Sequence, residues 1–248
     1  MQKISAYVIN LKSSVDRKEY MTNLLQDLEC IKYEFVEAVD GRMFDDAERA
    51  EYFDEKLCLK RYGRLLNPGE VGCTLSHFKC YNKLKASGGR YALILEDDIS
   101  IIRDINSLDV ERVCKFMDVS EPRILFLSGD YWHLNRREYT RVFSAVGSYA
   151  YIINKSAADM ILSSIKRPSC VADDWNVYKQ LGVRLYAILP YMVDANIADI
   201  PSDIQQEYWG NHKGNMALKY LFKTFYNGLV KKILVGLNLF ESKQRQTV

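Results

Sequence analysis

Short apolar runs alternate with helix-spaced segments over most of the chain, and that alternation predicts an α/β domain. Residues 4–11 read as a strand; Ser13 and Ser14 then offer an N-cap to a helix whose Tyr20, Met21, Leu24, Leu25 and Leu28 form one apolar stripe. Residues 33–39 make a second strand ending at Asp40-Gly41, so the chain opens as strand, helix, strand, the order of a parallel βαβ unit. The charged stretch 45–60 predicts a helix. Asn67-Pro68-Gly69-Glu70 predicts the start of another, with proline where a missing N–H costs nothing, and it runs through Val71, Leu75, Phe78 and Leu84 to Gly88-Gly89. Further strands are expected at 91–95, 124–127, 148–153 and 183–189, and a helix at 155–165.

The cleanest of these runs, Tyr91-Ala92-Leu93-Ile94-Leu95, passes straight into Glu96-Asp97-Asp98. Three carboxylates cannot stay inside a buried strand, so this one must end in a cleft or in water. Open α/β sheets bind ligands beyond the carboxyl ends of their strands. A carboxylate cluster there suits a hard cation, Mg²⁺ or Mn²⁺, which shares its shell with substrate phosphates. The competing reading is a solvated strand end with turn-forming acids.

With 248 residues, 48% hydrophobic and 27% charged, the chain is long enough for one large globular domain of ordinary composition. A net charge of +2 argues against a dedicated nucleic-acid binder, and 17 Tyr suit a site for rings or sugars. The six cysteines are scattered without zinc-type CxxC spacing, which points to a reducing compartment. No basic-then-apolar leader and no window of ~20 apolar residues is seen, so a cytoplasmic protein is expected. From His212 the character changes: Lys213, Lys219, Lys223, Lys231, Lys232, Lys243 and Arg245 stand against Glu241. They interleave with Leu221, Phe222, Phe225, Leu229, Ile233 and Leu234, as in a basic amphipathic helix lying on an anionic membrane or a terminal helix docked on the body. The division expected is therefore 1–211 and 212–248.

Ile9-Asn10-Leu11 with Ser14 and Arg17, Asp40-Gly41, Gly69-Glu70-Val71-Gly72-Cys73 with Ser76-His77, and Leu95-Glu96-Asp97-Asp98 occur in that order. Gly147-Ser148-Tyr149-Ala150-Tyr151 and Asp173-Asp174 follow. Together, over roughly the first 200 residues, they resemble glycosyltransferase family 25. That family contains lipooligosaccharide galactosyl- and glucosyltransferases of Gram-negative bacteria and the galactosyltransferases that modify collagen. The resemblance implies a GT-A fold, a Rossmann-like, mostly parallel sheet flanked by helices. It also implies a UDP-sugar donor, a divalent metal (Mn²⁺ or Mg²⁺) and inversion at the anomeric carbon. The acidic motif departs from the family's Asp-x-Asp, reading Glu-Asp-Asp instead.

By the same resemblance Asn10, Leu11, Arg17, Asp40, Gly41, Ser76, His77, Glu96, Asp97 and Tyr149 fall to the donor, and Asp98 with Glu96 to the metal. His212 is a further metal candidate. Arg17 offers phosphate a fork of donors, or is a surface arginine on a first helical turn. His77 either meets the pyrophosphate or packs beside Leu75 and Phe78. Inversion needs a base for the acceptor hydroxyl; Asp173 is the first choice and Asp174 the second, while an N-cap before Trp175 accounts for one of them. Trp175 and Tyr149 either stack on a sugar or fill the core. The expected acceptor is a lipooligosaccharide or lipopolysaccharide sugar, met at the inner face of the inner membrane. Two other readings stand beside this one. A Mg²⁺-dependent phosphotransferase or nucleotidyltransferase would want a Gly-rich loop, and none follows Leu11 or Leu127. A non-catalytic sugar-binding protein at the membrane would leave the acids without a task.

Overall fold

Successive side chains of a strand point to opposite faces of the sheet, and both faces are covered here, so the central strands are apolar nearly throughout. The computed structural model describes residues 3–128, 131–133 and 138–196, and Leu229 beyond them. Its first half contains β1 (Ile4–Asn10), α1 (Val15–Leu25), β2 (Ile31–Glu37), α2 (Asp46–Tyr52), α3 (Glu55–Tyr62), α4 (Pro68–Ser87) and β3 (Tyr91–Leu95). Then come β4 (Ile99–Ile101), α5 (Val110–Met117), β5 (Arg123–Phe126), β6 (Tyr131–His133), β7 (Tyr139–Ala145) and β8 (Ala150–Asn154). The last elements are α6 (Lys155–Ser164), α7 (Trp175–Gln180), β9 (Arg184–Ile188) and β10 (Val193–Ala195).

Eight strands form one sheet in the order β2-β1-β3-β8-β5-β9-β7-β6, and β10 pairs with β4 in a small second sheet. The α/β architecture is the expected one, but the sheet is mixed rather than mostly parallel. β1 runs parallel to β2 and β3, and β5 to β9. β8 lies antiparallel between β3 and β5, and β7 antiparallel to β9 and β6. The reason is physical: every residue of β8 is buried, and an apolar run encodes burial without encoding direction. On one face Val8, Met21, Leu93, Leu95 and Ile152 pack together; on the other Tyr7, Ile94, Phe126, Tyr151, Trp175 and Tyr178 do.

The 45–60 stretch is two helices rather than one. Asp45 caps α2 in a reciprocal box with Glu48, and the Asp54 side chain accepts from Leu57 N at 3.0 Å to start α3. Ser14 takes the N-cap position of α1 without a side-chain cap bond. α4 begins as expected: Asn67 accepts from Glu70 N at 2.7 Å and Glu70 accepts from Asn67 N at 2.9 Å. Among the described residues, no helix is long and apolar enough to cross a membrane.

α4 is seated backbone-to-backbone against the loop after β2. A Cβ on Gly72 would stand 2.5 Å from Val39 O and 2.8 Å from Gly41 N, and one on Gly41 would stand 2.0 Å from Pro68 O. Gly72→Ala is therefore expected to cost about 1–3 kcal/mol through overpacking, read as a lower urea midpoint at unchanged slope. Wild-type stability in that variant would contradict the close approach.

Candidate functional site

β1 and β3 are parallel neighbours, so their carboxyl ends bring Asn10 and Leu11 beside Glu96, Asp97 and Asp98. The first turn of α1 adds Arg17. The loop after β2 adds Val39 to Arg42, and α4 adds Cys73, Ser76 and His77; these residues line a cleft of about 120 Å³. Asn10 Nδ2 donates to Asp97 Oδ2 at 2.7 Å and to Ser14 O at 3.0 Å, tying the acidic loop to the start of α1. Arg17 Nη1 donates to Asp97 Oδ1 at 2.8 Å and lies 3.7 Å from Asp98 Oδ2. Asp97 is thus engaged through both oxygens, whereas Asp98 meets Arg17 only at the longer distance and otherwise accepts from its own backbone N–H. The Asp98 carbonyl accepts from Asn196 N at 2.7 Å, just past β10.

Glu96 turns the other way. Its Oε1 accepts from Ser148 Oγ at 2.6 Å and lies 3.2 Å from His77 Nε2, while Glu96 N donates to Tyr149 O at 3.0 Å. His77 Nδ1 is 2.7 Å from Tyr151 Oη, itself 2.7 Å from Tyr81 Oη, so a buried chain of polar groups backs the cleft. Next along the loop, Gly147 N donates to Asp173 Oδ2 at 2.9 Å.

The electrostatics separate the acids. Burial opposes the charge on Glu96, but the bonds from His77 and Ser148 outweigh it and hold the carboxyl below its usual range. Burial, with the Glu96 charge next door, pushes Asp98 up to about 7. Burial also raises Asp97 despite its bonds from Asn10 and Arg17, and raises Asp173 against one backbone bond from Gly147. Burial raises the Cys73 thiol well above its ordinary value, with the charges of Glu96, Asp173 and Asp98 adding to it. The cleft holds more negative charge than Arg17 compensates, which fits a cation.

Residues 3–175 match glycosyltransferase family 25 (LPS biosynthesis protein). The chain belongs to that family. It is 30% identical over 231 residues to the putative glycosyltransferase R655 of Acanthamoeba polyphaga mimivirus, covering 84% of this chain and 69% of the viral protein. It is 33% identical over 96 residues to procollagen galactosyltransferase 1-B of Xenopus laevis, which is 38% of this chain but only 16% of that protein. The human inactive glycosyltransferase 25 family member 3 matches at 31% identity over 137 residues, 53% of this chain and 22% of that protein, so family membership does not by itself carry activity.

Of the family-25 motif residues named from the sequence, Leu11, Arg17, Asp40, Gly41, Ser76, His77 and the three acids line the cleft, and Asn10 braces Asp97. Ser76 spends its hydroxyl on Gly72 O (2.7 Å) and Val39 N (2.8 Å), holding the cleft wall. Asp40 pairs with Arg42 in a two-pronged bridge of 2.8 and 2.9 Å at the lip. Tyr149 is buried, its ring against Gly147, where the positive φ of 80° and a ring carbon 2.3 Å from any Cβ admit only glycine. Trp175 is core, edge-on to Phe126 and Tyr151. Asp174 turns away from Asp173 to accept from Tyr62 Oη at 2.6 Å. His212 and the tail from 212 lie outside the described residues. Sequence reasoning missed Cys73, whose sulfur lies within 4.8 Å of the facing His77 and Glu96 ligand atoms. The signal was available: Cys73 and His77 are four residues apart on one helix.

Proposed function

We propose that this family-25 glycosyltransferase moves a hexose, galactose, from a UDP-linked donor to a lipooligosaccharide or lipopolysaccharide sugar, with inversion and with Mn²⁺ or Mg²⁺ as cofactor. The observation that carries the reading is the surplus of carboxylates at the carboxyl end of β3, with Arg17 as the cation in contact with them. Asp98, the acid with the fewest partners, is the residue to hold a hard divalent ion. Such an ion supplies charge neutralisation to the departing nucleoside diphosphate. Arg17 and Asn10 fix Asp97 and keep the acidic loop in shape. Asp173 takes the proton from the attacking acceptor hydroxyl. Galactose is chosen because named relatives are galactosyltransferases.

A panel of nucleotide sugars incubated with Mn²⁺ tests the reading. UDP-galactose should be consumed faster than UDP-glucose or any GDP- or CMP-sugar, and chelator should stop it. Consumption of a different donor, or turnover in chelator, overturns it.

The basic apolar pattern of the tail supports peripheral attachment to the inner face of the inner membrane, where a lipid-linked acceptor is met. Changing Lys219, Lys223, Lys231 and Lys232 to Glu in the full chain should abolish co-sedimentation with anionic vesicles. Each lysine is worth about 1 kcal/mol at such a surface, so loss of all four lowers binding roughly 10³-fold. Unchanged binding would mean that these lysines do not carry the attachment.

A further inference from the structure

We infer that Cys73, His77 and Glu96 form a site for a thiophilic divalent ion of the Zn²⁺ class, separate from the hard-cation position at Asp98. Cys73 and His77 stand at i and i+4 on α4, one above the other on the face that meets the end of β3. Their ligand atoms and a carboxylate oxygen of Glu96 all lie within 4.8 Å of one another. Metal–ligand bonds of about 2.0–2.3 Å in a tetrahedral zinc site put ligand atoms roughly 3.5 Å apart. The His77–Glu96 edge, at 3.2 Å, is already of that size, and a small swing of the sulfur closes the rest.

The groups around these three side chains are those a ligating set needs. A histidine that binds metal through one ring nitrogen has the other held by a hydrogen-bond partner. Here Nδ1 meets Tyr151 Oη at 2.7 Å, the two rings stack at 5.7 Å, and Tyr81 holds Tyr151 in turn. Glu96 is fixed by Ser148 Oγ and by its own backbone bond to Tyr149 O. All three residues line the cleft, so a fourth position faces solvent or a ligand.

Ligand chemistry separates this site from its neighbour. A set of one thiolate, one imidazole and one carboxylate selects Zn²⁺ over Mg²⁺ or Mn²⁺, whereas the oxygen-only surroundings of Asp98 select the harder ions. Binding displaces the Cys73 proton, and the ion's two charges balance thiolate and carboxylate. Asp98 and Asp173 close by add negative potential that favours the cation.

Titration of the metal-free, reduced full-length protein with Co²⁺ tests the assignment. One equivalent should raise a near-ultraviolet thiolate-to-Co²⁺ charge-transfer band together with intense visible bands of a tetrahedral ion. Zn²⁺ should bleach both, and a large excess of Mg²⁺ should not. Cys73→Ser, checked for an unchanged far-ultraviolet spectrum, should lose the charge-transfer band, and Asp98→Asn should keep it. No band in the wild-type protein, a band that survives Cys73→Ser, loss of the band in Asp98→Asn or displacement by Mg²⁺ would each overturn the site. If Cys73→Ser does not fold, X-ray absorption on the wild-type Zn²⁺ form decides. One sulfur neighbour at about 2.3 Å supports the site, and a shell of nitrogen and oxygen alone refutes it. None of these readouts requires a sugar donor, so failure here and failure of the proposed transfer reaction are told apart.

Discussion

Asp98→Asn is expected to lower cation-dependent sugar transfer by roughly 10³-fold, the equivalent of several kcal/mol of lost charge stabilisation on the leaving diphosphate. The fold should survive, because the amide keeps the size and the backbone bond of the carboxyl, and Arg17 meets it only at 3.7 Å. A pH signature accompanies it. The Asp98 carboxyl is raised from 3.8 to about 7, so at mildly acidic pH it is protonated and a cation must displace the proton. Mn²⁺ affinity should therefore climb between about pH 6 and 8 and level off above, and Asp98→Asn should flatten that rise. The sign for stability is the opposite. A folded-state value above the unfolded one means the cation-free fold favours the protonated acid. Its contribution is complete below 3.8 and is lost as pH rises through about 7. Calorimetric titration across this range reads the first effect and denaturant melts read the second. Full activity of the variant would sink the assignment.

Asp173→Asn should reduce transfer by about 10²–10⁴-fold, the usual cost of a lost general base, while UDP binding is unchanged. The amide keeps the size of the carboxyl and can still accept from Gly147 N, so only the proton acceptor is removed. Asp174→Asn is the control. Its carboxylate is engaged by Tyr62, so that variant should lose up to about 2 kcal/mol of stability and little activity. Single-turnover rates separate the two. A large loss in Asp174→Asn with normal transfer in Asp173→Asn exchanges the roles.

The parts of this molecule visible in the sequence are those decided locally. Asn67 to Glu70 announces α4 because a cap is a contact between neighbours in the chain. The Tyr91–Leu95 run announces β3 because burial on both faces leaves an unbroken apolar string. Strand direction is not local, which is why the reversal at β8 was hidden. β7 was missed because it lies toward one end of the sheet, where its residues are only intermittently buried. α5 was legible and overlooked: Val110, Val113, Cys114 and Met117 recur at helical spacing. The acids could be read as a cluster, but not their division of labour. That depends on Asn10 and Arg17 reaching Asp97 across 87 and 80 residues, and on Ser148 reaching Glu96 across 52.

The short loop that enters β8 sets a distance as well as a shape. Gly147 grips Asp173 through its amide, and the adjacent Ser148 grips Glu96 through its hydroxyl. The spacing between the acid that would activate the acceptor and the acidic corner that would receive the donor is thereby measured out by two consecutive residues. Neither wall can be shifted without the other feeling it. An inserted residue between Gly147 and Ser148 would break one grip or stretch the gap, and the far end has no slack to absorb it, because Cys170 and Ala172 are buried and Thr74 holds the Cys170 carbonyl. Attempts to retune the acceptor should therefore leave the loop's length untouched.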